Sequence, residues 1–107
     1  MRNISPGELS AWLQDPARPA PLLLDVREPW EFRTCHIAGA RPVPMNEVPR
    51  RLAELDPESD VVAICHHGTR SMHVAHFLAR QGFERVYNLA GGMDAWARSV
   101  DTAMPVY

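Results

Sequence analysis

The chain has 107 residues, a length that suits one domain with a single modest core and no need of disulfide or metal staples. Hydrophobic residues make up 46% and charged residues 22%, and the net charge of -2 excludes the basic electrostatic footprint of a nucleic-acid-binding protein. All eleven basic residues are arginine, a bias that reflects composition more than function. The N-terminal "MRNISPGELSAWLQ" has no apolar signal region, and no run approaches the roughly 18 apolar residues of a membrane span, so a cytoplasmic protein that does not contact membrane is expected. Cys35 and Cys65 are too few for a disulfide framework and read as reduced thiols.

Ser5-Pro6-Gly7-Glu8 announces a helix, with Ser5 as cap, Pro6 at the first helical position and Glu8 completing a capping box; the helix runs to about Gln14. "LLLDV" (22–26) is a short apolar run that ends on a charge, as a buried parallel strand does. "REPWEFRTC" reads as a turn and one short helix, and "HIAGARPVP" as a loop leading to a short strand at 41–43. Residues 46–55 are amphipathic, with Val48, Leu52 and Leu55 at helical spacing. "VVAI" (61–64) is the most strand-like segment, and a helical pattern then runs from Ser71 to a C-cap at Gly82. "RVYNL" (85–89) is a further strand and "MDAWARS" a last helix; "SVDTAMPVY" reads at most as a strap across the domain. Strands alternating with helices imply right-handed crossovers, hence one α/β domain over 1–107: a doubly wound parallel sheet with helices on both faces.

In such a sheet, ligands bind at the carboxyl ends of the strands, and Cys65 directly follows the strand 61–64. His66, His67, Gly68 and Thr69 form a short loop, and Arg70 and Ser71 open the next helix. Backbone N–H groups in a loop of this kind converge on one point, the helix dipole adds positive charge there, and the combination cradles an anion. The same field favours a thiolate over a thiol. A cysteine at a strand end is commonly a small buried hydrophobe. Here the strand, cysteine, glycine loop, Arg-Ser pair and helix occur in register, and Cys65 is read as a nucleophile for an anionic electrophile.

With these residues in view, the sequence resembles the rhodanese family of sulfurtransferases in its single-domain form. "LLLDVREPWEF" is similar to the family's Asp-Val-Arg-x-x-x-Glu-Phe segment at Asp25, Val26, Arg27, Glu31 and Phe32. "CHIAGARPVP" resembles its Gly-His-Ile-x-Gly-Ala segment, "CHHGTRS" its Cys-x-x-Gly-x-Arg-Ser active loop, and "NLAGGMDAW" its Leu-x-Gly-Gly-x-x-x-Trp segment. The resemblance implies that Cys65 takes the outer sulfur of a donor such as thiosulfate. The resulting persulfide, held by the N–H groups of His66 to Ser71, passes its sulfur to cyanide, a thiol or a protein acceptor, with no cofactor. The loop is Cys-x4-Arg, one residue shorter than the Cys-x5-Arg of tyrosine phosphatases, and the narrower cradle favours a sulfur atom over a phosphate. Its rival from another class is a non-catalytic or regulatory rhodanese-like module, whose usual mark is loss of the cysteine or a disrupted loop; neither occurs here.

Position 35, usually glycine in the family, is cysteine, read as a tolerated substitution rather than a resolving thiol. Arg70 either faces the substrate or pairs with Asp25 to hold the loop, and the fit of a bidentate Arg-carboxylate pair favours the second. Arg27 either draws anions to the mouth or serves as a structural ion-pair partner. His73 and His76, spaced i, i+3, lack an accompanying Cys-x2-Cys pattern, and no metal is expected. His36 reads as a structural, hydrogen-bonding histidine of its loop, and Trp30 as the one tryptophan near the predicted mouth.

Overall fold

A computed structural model describes residues 1–107. The chain runs β1 (Arg2–Ile4), α1 (Pro6–Gln14), β2 (Leu22–Asp25), α2 (Pro29–Thr34), β3 (Arg41–Pro42), two 3-10 turns (Met45–Glu47 and Pro49–Glu54), β4 (Val61–Ile64), α3 (Thr69–Arg80), β5 (Val86–Leu89) and α4 (Gly92–Ser99). Ser5 caps α1 as its sequence dictates: the Glu8 amide donates to Ser5 Oγ at 3.1 Å and the Ser5 amide to Glu8 Oε1 at 2.9 Å. At the far end of α3, Gly82 takes φ +96°, and the Phe83 amide closes back on the Leu78 carbonyl at 3.1 Å.

All five strands are parallel, in the order β1-β5-β4-β2-β3. The central strand β4 is buried at every position, which is why it reads as an unbroken apolar run. Its side chains alternate between two cores. Val61, Ala63 and Cys65 face Val74, Ala75 and Leu78 of α3, with Val48 and Leu55 from the 3-10 segment. Val62 and Ile64 face Leu9 and Trp12 of α1 and Met93 and Trp96 of α4. Helices therefore cover both faces of the sheet. The chain leaves β2 toward β3 but leaves β4 toward β5, so connections diverge from the adjacent pair β2 and β4. The crevice at their carboxyl ends is the switch point where open α/β sheets bind ligands.

Two elements differ from the sequence reading. Residues 46–55 form 3-10 turns rather than a continuous amphipathic helix, because Pro49 has no N–H to donate and its ring collides with the carbonyl four residues back. Strand β1, too short to show alternation, exists because the edge of β5 offers it partners: Arg2, Asn3 and Ile4 register with Tyr87, Asn88 and Leu89. No helix is long and apolar enough to cross a membrane.

Candidate active site

Cys65 leaves the end of β4 with its side chain 1% exposed. Its sulfur accepts the Gly68 amide at 3.0 Å, and Ser71 Oγ lies 3.2 Å away. The loop curls this tightly because Gly68 adopts φ +99°, a left-handed conformation that penalises any other residue. From outside, α4 braces it: the Met93 amide donates to the Cys65 carbonyl at 2.8 Å and the Asp94 amide to the His66 carbonyl at 3.0 Å. A Cβ on Gly92, the first residue of α4, would collide with those same two carbonyl oxygens, which accounts for glycine there. Of the loop carbonyls, α4 engages those of Cys65 and His66. The N–H groups of His66, His67, Thr69, Arg70 and Ser71 donate to no protein acceptor.

Ser71 has one hydroxyl proton and two neighbours for it, Cys65 Sγ and Asn88 Oδ1, the latter at 2.5 Å. Asn88 is held in orientation by its amide nitrogen, which donates to the Gly68 carbonyl at 3.2 Å and to Asn3 Oδ1 at 3.1 Å. Ser71 therefore gives its proton either to the sulfur or to Asn88, and the thiol becomes the donor when Ser71 turns to Asn88.

The arginine pairings depart from the sequence reading. Arg70 does not pair with Asp25; it grips Glu31 of α2 in a bidentate fork, at 2.7 and 2.9 Å. Asp25 is instead taken by Arg27, through Nε at 2.9 Å and a terminal nitrogen at 2.8 Å. Positions 25 and 27 are two apart at a strand end and point to the same side, so the near partner occupies the carboxylate first. Arg27 is 1% exposed and also donates to the Cys35 carbonyl at 2.6 Å and the Tyr107 hydroxyl at 2.7 Å. Its guanidinium is thus buried and engaged by Asp25, Tyr107 and the Cys35 carbonyl. Burial works against its charge, but the bonds to Asp25 and Tyr107 outweigh this and raise its pKa.

A family model described as the rhodanese-like domain matches residues 5–99. The chain belongs to the rhodanese-like domain family. It is 40% identical over 77 residues to the thiosulfate sulfurtransferase GlpE of Actinobacillus pleuropneumoniae, covering 72% of this chain and 71% of that protein. It is also 37% identical to rhodanese-like/PpiC domain-containing protein 12 of Arabidopsis thaliana; there all of this chain aligns but spans only 38% of the relative's length. Among solved structures, a rhodanese-like domain protein from Staphylococcus aureus superposes with a TM-score of 0.83 at 29% identity, covering 90% of this chain and 91% of that one.

Within this rhodanese-like site, the structure brings Cys65, the loop from His66 to Ser71 and the Arg70–Glu31 pair together, and sets Asp25 and Arg27 behind them. Cys35 lies apart: its side chain packs in the α1 and α4 core, whereas that of Cys65 packs in the α3 core. Its φ of -165° is extended backbone that any residue adopts, which explains why cysteine is tolerated where the family usually has glycine. His36 hydrogen-bonds Phe32 O through Nδ1 at 2.8 Å and stacks on the Phe32 ring, in keeping with a structural role.

Sequence reasoning passed over two residues of the site. Asn88 carried a signal, a polar side chain in an otherwise apolar strand. Tyr107 carried none. Its hydroxyl sits between Arg27 and Glu31, at 2.7 and 2.9 Å, its ring lies 4.1 Å from that of His66, and burial raises its own pKa to about 12. Burial also lowers the pKa of His66, and the neighbouring His67 adds to this.

The Arg70 fork holds Glu31 down to about 2, against the effect of burial and with help from the Glu28 amide and Tyr107. A carboxyl depressed from 4.5 contributes stability that is complete above the unfolded value and is lost as pH falls toward about 2. At about 1.4 kcal/mol per unit this is on the order of 3 kcal/mol. Glu31→Gln is expected to lose that amount at pH 7 in urea titrations, with its deficit against wild type closing between pH 4.5 and 2. An equal deficit at pH 7 and at the acid end would mean the ion pair is not its source.

Proposed function

We propose that this chain, working as a single rhodanese domain over residues 1–107, is a sulfurtransferase that carries sulfane sulfur on Cys65. The observation that carries the reading is a cysteine at a strand end that already accepts the Gly68 N–H, in a loop whose other amides have no protein acceptor. Amides of this kind stabilise anionic sulfur, and little else in the chain offers comparable chemistry. The Cys65 thiolate attacks the outer sulfur of thiosulfate; a sulfur–sulfur bond forms to Cys65, the sulfur–sulfur bond of the donor breaks, and sulfite leaves with the electron pair. In the second half-reaction, cyanide or a thiolate attacks the outer sulfur of the persulfide, giving thiocyanate or a new persulfide and restoring the Cys65 thiolate. The loop from His66 to Ser71 holds both anionic states, Arg70 and Glu31 fix its shape, and Asp25 and Arg27 support the strand end beneath. The name of the GlpE relative, thiosulfate sulfurtransferase, supports thiosulfate as the donor. A protein acceptor uses the same chemistry, and two unpaired thiols suit a reducing cytoplasm.

The test is intact mass after incubation of the reduced protein with thiosulfate, beside a Cys65→Ser control. A gain of one sulfur atom that cyanide removes and the control lacks supports the reading. No gain with thiosulfate or mercaptopyruvate sinks the small-donor reading and leaves a domain served by protein partners, or one without catalysis. Cys35→Ser is expected to leave multiple-turnover transfer to thiol acceptors unchanged, because the two thiols pack in separate cores. A clear loss of turnover would make Cys35 a resolving thiol after all.

A further inference from the structure

We infer that Tyr107 is a specificity-determining residue of this site, a roof over the Cys65 loop that bulky sulfur donors and acceptors must displace and small ones need not. The inference rests on Cys65 being the reacting thiol and adds what limits access to it. Tyr107 bridges the two sides of the loop. Its ring lies 4.1 Å from that of His66, the residue after Cys65, while its hydroxyl donates to Glu31 Oε2 at 2.9 Å, on the carboxylate that grips Arg70. The Trp30 ring, 55% exposed, meets it edge-on at 5.7 Å and extends the cover outward. Cys65, the residue before His66, is 1% exposed.

The attachment is of a kind that opens. After α4 the chain makes one turn, closed by the Met104 amide on the Asp101 carbonyl at 3.0 Å, and residues 105–107 form no backbone hydrogen bond at all. Pro105 and Val106 are exposed, so within residues 105–107 only the Tyr107 side chain, partly buried against the α1 and α4 core, holds the chain to the domain. Segments without backbone hydrogen bonds open at lower cost than those tied into helices and sheets. The closed position also leaves a polar group unsatisfied. His66, between the rings of His67 and Tyr107, has a buried Nδ1 with no hydrogen-bond partner, and lifting the tyrosine ring would give water access to that imidazole. The roof is thus fixed by one side chain, whose hydroxyl bonds with Arg27 and Glu31 hold it closed against the unsatisfied His66 Nδ1.

The test compares two alkylating reagents of one chemistry and different size, iodoacetamide and a fluorescein-bearing iodoacetamide, in a Cys35→Ser background. It reads accessibility alone, so its outcome is independent of whether thiosulfate loads sulfur, and a failure here leaves the mass test untouched. If the roof is closed about nine-tenths of the time, the bulky reagent sees about one-tenth of the molecules. Tyr107→Ala is then expected to speed the bulky reagent about tenfold while speeding iodoacetamide less than about threefold. Tyr107→Phe, which keeps the ring but lacks the hydroxyl, should fall between. An unchanged ratio of bulky to small rates in folded Tyr107→Ala overturns the inference. If that variant does not fold, an unchanged ratio in Tyr107→Phe overturns it instead.

Discussion

Replacing Cys65 with serine is expected to lower sulfur transfer by at least about 10⁴-fold, the scale seen when a covalent nucleophile is removed. Serine is nearly the same shape, and Gly68 N–H and Ser71 Oγ, at 3.0 and 3.2 Å from the sulfur, remain as hydrogen-bond partners for the new hydroxyl. The expected cost in stability is therefore only about 1 kcal/mol. What is lost is the chemistry: an alkoxide is scarcely populated at neutral pH and does not form a stable bond to sulfane sulfur, whereas the thiolate is a strong nucleophile. Steady-state transfer from thiosulfate to cyanide, read beside a thermal melt, separates the two effects. Residual transfer within about tenfold of wild type would mean that Cys65 does not carry the sulfur.

Arg27→Met is expected to be the most destabilising of the charge substitutions, at about 3–5 kcal/mol. The variant strands a carboxylate: Asp25 is 1% exposed and loses both guanidinium bonds, while the Cys35 carbonyl and the Tyr107 hydroxyl lose a donor each. For a domain of this size that loss corresponds to a fall in melting temperature of roughly 15–30 °C. The exposed pair of Arg41 and Glu54, with side chains 38% and 45% accessible, makes the contrast. Arg41→Ala should cost about 1 kcal/mol or less, because solvent already screens both charges. The double variant Asp25→Leu with Arg27→Met removes the stranded charge along with its partner and should regain much of the loss. If Arg27→Met melts like Arg41→Ala, the buried pair does not hold the strand end as described.

Arg27 and Arg70 show how far a sequence reading reaches. In the sequence, Asp25, Arg27 and Arg70 read as site charges, with Asp25 the favoured partner of Arg70; Glu31 figures only in the motif match. Spacing along the chain cannot rank Asp25 against Glu31 for Arg70, since that depends on where α2 sits against the loop after β4. Asp25 pairs with Arg27 and Glu31 with Arg70, so Asp25→Ala and Arg70→Ala are each expected to weaken the fold, through two separate pairs. Tyr107 lies 76 residues from Glu31 and 80 from Arg27 in sequence, with no periodicity or motif around it. Only the path of the chain after α4 puts it on the site.

The sequence by itself determined the helix start at Ser5, the buried strand 61–64, the tight glycine loop after Cys65, and the alternation that makes a doubly wound parallel sheet. Each of these is decided within a few residues, by a cap that satisfies its own neighbours, an apolar run that must be buried, or a backbone angle that only glycine adopts cheaply. The tertiary structure decided which carboxylate Arg27 and Arg70 each take, that α4 braces the loop through the Cys65 and His66 carbonyls, that β1 forms at all, and that the Tyr107 ring lies beside that of His66. A buried charge, an open strand edge and an unclaimed carbonyl are each satisfied by whichever partner the packing of distant elements brings within reach, and that choice is made only when the whole chain has folded.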